Sequence, residues 1–216
     1  MTAEIVPSFD DIDAALATAA PDLSGDEQRL AVATYRLLAT GSPVMIEAAA
    51  DATGFPIDTA AETLRSWPGV FRDGEDRIIG FWGLALPEMT HRVRLGDVDL
   101  YAWCAWDPLF LALIVGDLEV RTDDPISRDT VSYRIAAEGT VSELSHPDGV
   151  LSFLRPNEPW DDDVMDTFCH YVLHFTDPTS AGEWTSRHPG TFTIRLDDGV
   201  ALARRHVART FGHALA

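Results

Sequence analysis

The chain has 216 residues, enough to bury a core without a metal or disulfide staple and enough for one domain or two small ones. Its 35 acidic residues against 16 basic ones give a net charge of −19, a surface that repels phosphate backbones and anionic headgroups, so nucleic-acid and membrane partners are disfavoured. The sequence has no apolar run of transmembrane length, and its acidic start lacks the basic and apolar regions of an export signal, so the expected location is the cytoplasm.

The first third reads as helices. Ser8 is placed to cap FDDIDAALATAA, and Ser24 or Asp26 opens EQRLAVATYRLLAT, which Gly41 stops. Pro43 occupies a favoured first helical position before VMIEAAADAT. After the turn at Gly54-Phe55-Pro56, IDTAAETLRSW is amphipathic and closes at Pro68-Gly69. VFRDGEDRIIGFWGLAL then carries two β-like runs around Asp73-Gly74, a hairpin signal.

Three helices and a hairpin are the order of a winged helix. A reader of the major groove needs several donors on its recognition helix, and IDTAAETLRSW offers Asp58, Glu62 and only Arg65. The unit therefore reads as a scaffold that covers the rest of the chain, with its boundary at Pro87-Glu88-Met89-Thr90: residues 1–88, then residues 89–216. The second unit is strand-rich, with HRVRL, VDLYAW, LEVRT, TVSYRIAA, GVLSFL and TFTIRL. Between the second and third of these strands lies DPLFLALIVG, a short buried helix with Asp107 as expected N-cap and Pro108 as first helical residue. SAGEWTSRHPG after Asp177-Pro178 and a closing amphipathic DDGVALARRHVARTFGHAL complete the pattern. The fold class is α+β: a winged-helix-like helical unit with a hairpin, then a mixed-sheet core with flanking helices.

Only two cysteines are present, Cys104 and Cys169, and a reducing compartment favours free thiols over a disulfide. Cys104 and Asp107 stand three apart where a strand passes into a helix, so both can face one space. The helix N-terminus there is expected to lower the thiol's pKa. Cys169 sits in the mostly apolar DTFCHYVLHF, where composition alone suggests a buried core thiol. His91, His170, His174 and His188 lack zinc-type spacing with the cysteines, and Asp161-Asp162-Asp163 reads as a solvated turn.

Taken together, His91-Arg92, the run Leu100-Tyr101-Ala102-Trp103-Cys104-Ala105 with Asp107, the distant Phe168-Cys169, and Glu183-Trp184 with His188 and Gly190 resemble the organomercurial (alkylmercury) lyases. The resemblance runs from about His91 to Gly190 and more weakly through the helical unit. It implies protonolysis of carbon–mercury bonds in alkyl- and arylmercury compounds, with Cys104, Asp107 and Cys169 as the catalytic and mercury-holding residues. It further implies Asp107 as proton shuttle, no organic cofactor, small cellular thiols to remove Hg(II), and hand-off to a mercuric reductase. Many relatives carry a further cysteine directly after the second catalytic one, where this chain has His170. Burial of Asp107 among Trp103, Trp106, Phe110 and Phe168 would raise its pKa, and Tyr101 is a candidate for shaping the pocket. The alternative is a soft-metal binding or sensing protein of the same fold that cleaves nothing.

Overall fold

The computed structural model describes residues 6–215; part of the acidic start on which the expectation of no export signal rests lies outside them. Among the described residues no helix is long and apolar enough to cross a membrane.

Helices α1 (Phe9–Ala19) and α2 (Gly25–Leu38) both begin with capping boxes, Ser8 with Asp11 and Ser24 with Glu27, so two otherwise orphaned backbone donors are satisfied at each start. Helix α3 spans Ile46–Thr53 and α4 spans Ile57–Ser66. Pro43 does not open α3: Val44 instead exchanges backbone hydrogen bonds with Ile78 (2.9 and 2.8 Å), which holds this stretch extended and delays the helix to Ile46. Gly54 ends α3 in the left-handed conformation at φ 72°. On α4, Asp58 and Glu62 are exposed and Arg65 pairs with Asp76 at 2.7 Å.

The hairpin is β1 (Val70–Arg72) and β2 (Ile78–Phe81), with a bulge between Phe71 and Arg72. A third short strand, β3 (Leu84–Ala85), follows a tight turn at Trp82 (φ 35°) and Gly83 (φ 96°). It pairs with β2 on one side and, on the other, with β5 (Val98–Ala102), whose hairpin partner is β4 (His91–Leu95). The wing of the helical unit is thereby hydrogen-bonded into the sheet of the core.

Helix α5 (Asp107–Val115) leads to β6 (Leu118–Asp123), β7 (Thr130–Ile135) and β8 (Val141–Ser142), which complete an eight-stranded sheet in the order β1-β2-β3-β5-β4-β6-β7-β8. A second sheet contains β9 (Val150–Leu154) between β10 (His174–Phe175) and β11 (Thr191–Arg195). The mixture in this core is of helix against sheet and not of strand direction. All pairings are antiparallel; short connections require this of β1–β2, β2–β3, β4–β5, β6–β7 and β7–β8, and the longer-range pairs β3–β5, β4–β6, β9–β10 and β9–β11 share it. Helix α6 (Val164–Thr167) and a 3-10 turn (Cys169–Tyr171) precede β10, α7 (Pro178–Thr185) is capped by Asp177, and α8 (Leu196–Leu215) closes the chain.

One hydrophobic core unites the two halves: Leu16, Tyr35, Leu38 and Leu64 belong to the same buried cluster as Trp106, Leu109, Phe153 and Phe211. Helix α8 is the common partner, packing against α1, α2 and α5. At about 25 cal/mol per Å² of buried apolar surface, such an interface is worth several kcal/mol, and the helical unit is a fixed wall of the molecule.

Candidate active site

Strand β5 alternates Leu100 and Ala102 inward with Tyr101 outward. Tyr101 therefore lies over an outer groove with Arg92 and Arg121 and shapes nothing near the thiols, which corrects its expected place. After Ala102 the chain turns through Trp103-Cys104-Ala105-Trp106 into α5, and three hydrogen bonds fix that turn. Trp103 N–H donates to Gly83 O (3.0 Å), Ala105 N–H to Val172 O (2.9 Å), and Trp106 Nε1–H to Gly199 O of α8 (3.0 Å). The middle bond joins the Cys104 turn to the 3-10 turn that carries Cys169, so residues 65 positions apart in sequence are brought side by side.

Sγ of Cys104, a carboxylate oxygen of Asp107 and Sγ of Cys169 all lie within 4.8 Å of one another, the one such cluster of metal-ligating types among the described residues. The two thiols are close enough to influence each other's ionisation. Asp107 is not the N-cap of α5; Trp106 holds that position and Asp107 is the first helical residue. Its Oδ2 reaches back to accept the Cys104 N–H at 2.7 Å, which turns the carboxyl toward the thiols instead of toward the amides of its own helix. Gly83 makes room: a Cβ there would sit 2.8 Å from Cγ of Asp107 and 3.0 Å from Phe110. The sequence signal for this was a glycine inside a strand-like run, a mark of close backbone approach.

Burial dominates the electrostatics. It raises the pKa of Asp107 from 3.8 to about 7, against the pull of the hydrogen bonds from Cys104 and Trp103. Burial, the contact with Cys169 and the Asp107 charge push Cys104 well above the ordinary thiol range. The expected depression by the helix terminus does not occur, because α5 is buried along its length and desolvation outweighs its partial charge. For Cys169 the hydrogen bond with Cys104 pulls downward, yet burial and Asp107 together leave it above its usual value. Burial thus favours the protonated thiol at both sulfurs.

Above them lies a cavity of about 300 Å³ walled by Trp82, Trp103, Trp106, Phe110, Trp160, Phe168 and Phe211. Cys169 and Asp107 line it; Cys104 is fully buried behind them. The helical unit supplies residues 18–22 and Tyr35, whose hydroxyl donates to Trp82 O at 2.7 Å. Neither Tyr35 nor His206 of α8, a neutral imidazole in the same wall with its pKa lowered by burial to about 4, stood out in the sequence.

The other histidines stand apart from the cluster. His91 is buried against Thr122 (2.9 Å), His174 is buried beside Tyr133, His188 stacks on Trp184 and His170 is exposed beside Asp166 (3.1 Å). Asp161, Asp162 and Asp163 are exposed, as expected, although Asp162 also accepts the Gly69 N–H at 3.0 Å.

Two buried soft donors and one carboxyl with a near-neutral pKa, under an apolar cavity in an α+β core, are a set of groups suited to a soft metal centre with a proton donor beside it. Comparison with known proteins makes this specific. Residues 84–208 match the family model for alkylmercury lyase, and residues 11–82 match that for the helix-turn-helix domain of alkylmercury lyase. The alkylmercury lyase of Staphylococcus epidermidis is 31% identical over 175 residues, covering 81% of this chain and 79% of that protein. That of Pseudomonas putida is 30% identical over 173 residues, 80% of each. The crystal structure of the mercury-bound form of MerB2 shares the fold, with a TM-score of 0.71 at 18% identity over 91% of this chain and 96% of that one. The chain belongs to the alkylmercury lyase family.

Proposed function

We propose that this lyase cleaves the carbon–mercury bond with Cys169 and Cys104 as its mercury ligands and Asp107 as its proton shuttle. The observation that carries the assignment is the convergence of the two sulfurs and the carboxylate within 4.8 Å beneath an apolar cavity that can take the organic group. Mercury(II) is soft and prefers thiolate sulfur, so two cysteines at this spacing are suited to it as substrate.

An organomercurial arrives as the thiol adduct R–Hg–SR′. Cys169, the sulfur that faces the cavity, exchanges first: its thiol displaces R′S from mercury and the proton leaves with R′SH. Cys104 then joins the mercury from behind, and its proton passes to the carboxylate of Asp107. Two donating sulfurs load electron density onto the carbon, Asp107 delivers the proton there, and the carbon–mercury bond breaks. The products are R–H and Hg(II) bridged by the two cysteine sulfurs. A pKa of about 7 suits a group that must both take and give a proton near neutral pH. Holding the groups in place converts a multi-body encounter into a unimolecular one, worth about 7–11 kcal/mol.

No organic cofactor enters this scheme. Cellular thiols remove Hg(II) by exchange, and a mercuric reductase in the cytoplasm is the fitting recipient. Incubation of the protein with phenylmercury and excess mercaptoethanol tests the function: catalytic benzene release is expected. Stoichiometric mercury binding without benzene would replace the lyase with a non-cleaving binder of the same fold.

A further inference from the structure

The mouth of the cavity carries a charge pattern that the chemistry does not require. Of the residues lining the cavity, Asp22 and Asp161 are exposed carboxylates, and none is arginine. They lie on adjoining segments of the cavity's rim, because Trp160 N–H donates to Ala19 O at 3.0 Å and so ties the segment that holds Asp161 to the segment that holds Asp22. Among the described residues neither forms an ion pair, whereas the nearby Arg205 and Arg209 of α8 are committed to Asp10 and Asp13. Asp162 and Asp163 extend the same acidic edge. A molecule that enters along this rim therefore meets two carboxylates with no ion-pair partner before it reaches Cys169.

We propose that Asp22 and Asp161 select the substrate by the charge of its thiol part: neutral and cationic thiol adducts of an organomercurial are admitted, and anionic ones are held back. The inference rests on the lyase reading and on thiol adducts as the form in which mercury arrives. Charges that line a cleft with low-dielectric walls focus the field at its mouth and change association rates by 10–10³, and salt screens the effect. The carboxylates act on entry and exit, so their influence falls on kcat/KM for the adduct and on the rate at which an external thiol strips Hg(II). The same filter operates in both directions: a polyanionic thiol is also a poor recipient of the bound metal.

The test uses phenylmercury adducts of cysteamine (cationic), mercaptoethanol (neutral) and mercaptosuccinate (dianionic), with benzene release followed at ionic strengths from 10 to 500 mM. Salt dependence separates charge from the intrinsic thiol affinity for mercury. Rising salt should lower kcat/KM for the cationic adduct, leave the neutral one nearly flat and raise the dianionic one by about tenfold. The double variant Asp22→Asn with Asp161→Asn should shrink these slopes. Asp51→Asn with Asp58→Asn, an equal charge change at exposed sites that do not line the cavity, should leave them as they are. Slopes that are alike for the three adducts would overturn the proposal, as would a remote pair that acts as strongly as the mouth pair. Absence of benzene with every adduct would instead overturn the lyase reading itself.

Discussion

Replacing Asp107 with asparagine should make the protein more stable at high pH while disabling it. A carboxyl with its folded-state pKa raised from 3.8 to about 7 binds its proton more tightly folded than unfolded. Its favourable contribution is thus full below about pH 4 and is lost as pH rises through 7. The difference of roughly three pH units, at 1.36 kcal/mol each, amounts to about 4 kcal/mol by pH 8, of which about 2.5 kcal/mol falls between pH 5 and pH 8. Asparagine is isosteric, keeps an oxygen to accept the 2.7 Å bond from Cys104 N–H, and carries no charge to desolvate. Urea unfolding of both proteins at pH 5, 6.5 and 8 measures the effect. The stability difference should grow steadily in favour of Asp107→Asn as pH rises. A pH-independent difference, or a wild type that gains on the variant at pH 8, would show that Asp107 is not a buried, proton-holding carboxyl.

Other consequences follow from the same geometry. Since Asp107 must start as a carboxylate to take the Cys104 proton, wild-type kcat/KM should climb with unit slope toward a plateau above about pH 7 in a buffer series. Gly83→Ala should destabilise by more than about 2 kcal/mol in thermal or urea unfolding, because the backbone there has φ 96° and a Cβ meets Asp107 and Phe110 at or below 3.0 Å. Cys104→Ser should still bind one phenylmercury rapidly through the cavity-facing Cys169. Cys169→Ser leaves only the fully buried Cys104 and should bind at least tenfold more slowly, by intact-protein mass spectrometry over time.

Much of this was legible in the sequence because it is local. Serine caps, the Asp73-Gly74 hairpin and the alternation of HRVRL and VDLYAW concern neighbouring residues, and they return as α1, α2, β1–β2 and β4–β5. Cys104 and Asp107 share a turn and could be paired on the page. Three features were misread because another part of the chain decides them. Pro43 opens no helix since Val44 is claimed by Ile78, Asp107 does not cap since it is claimed by Cys104, and the thiol of Cys104 is raised since α5 lies in the core. Tyr35 and His206 join the site only through the packing of α2 and α8 around it, and no short motif records that assembly.

The most direct test of the central claim places capture and cleavage on one sample. Folded Asp107→Ala protein, loaded with phenylmercury, should retain mercury at wild-type stoichiometry on Cys104 and Cys169 while releasing benzene about 10²–10⁴ times more slowly, the loss expected for a positioned proton donor. Wild-type benzene release from that variant would contradict the assignment of Asp107 as the proton shuttle.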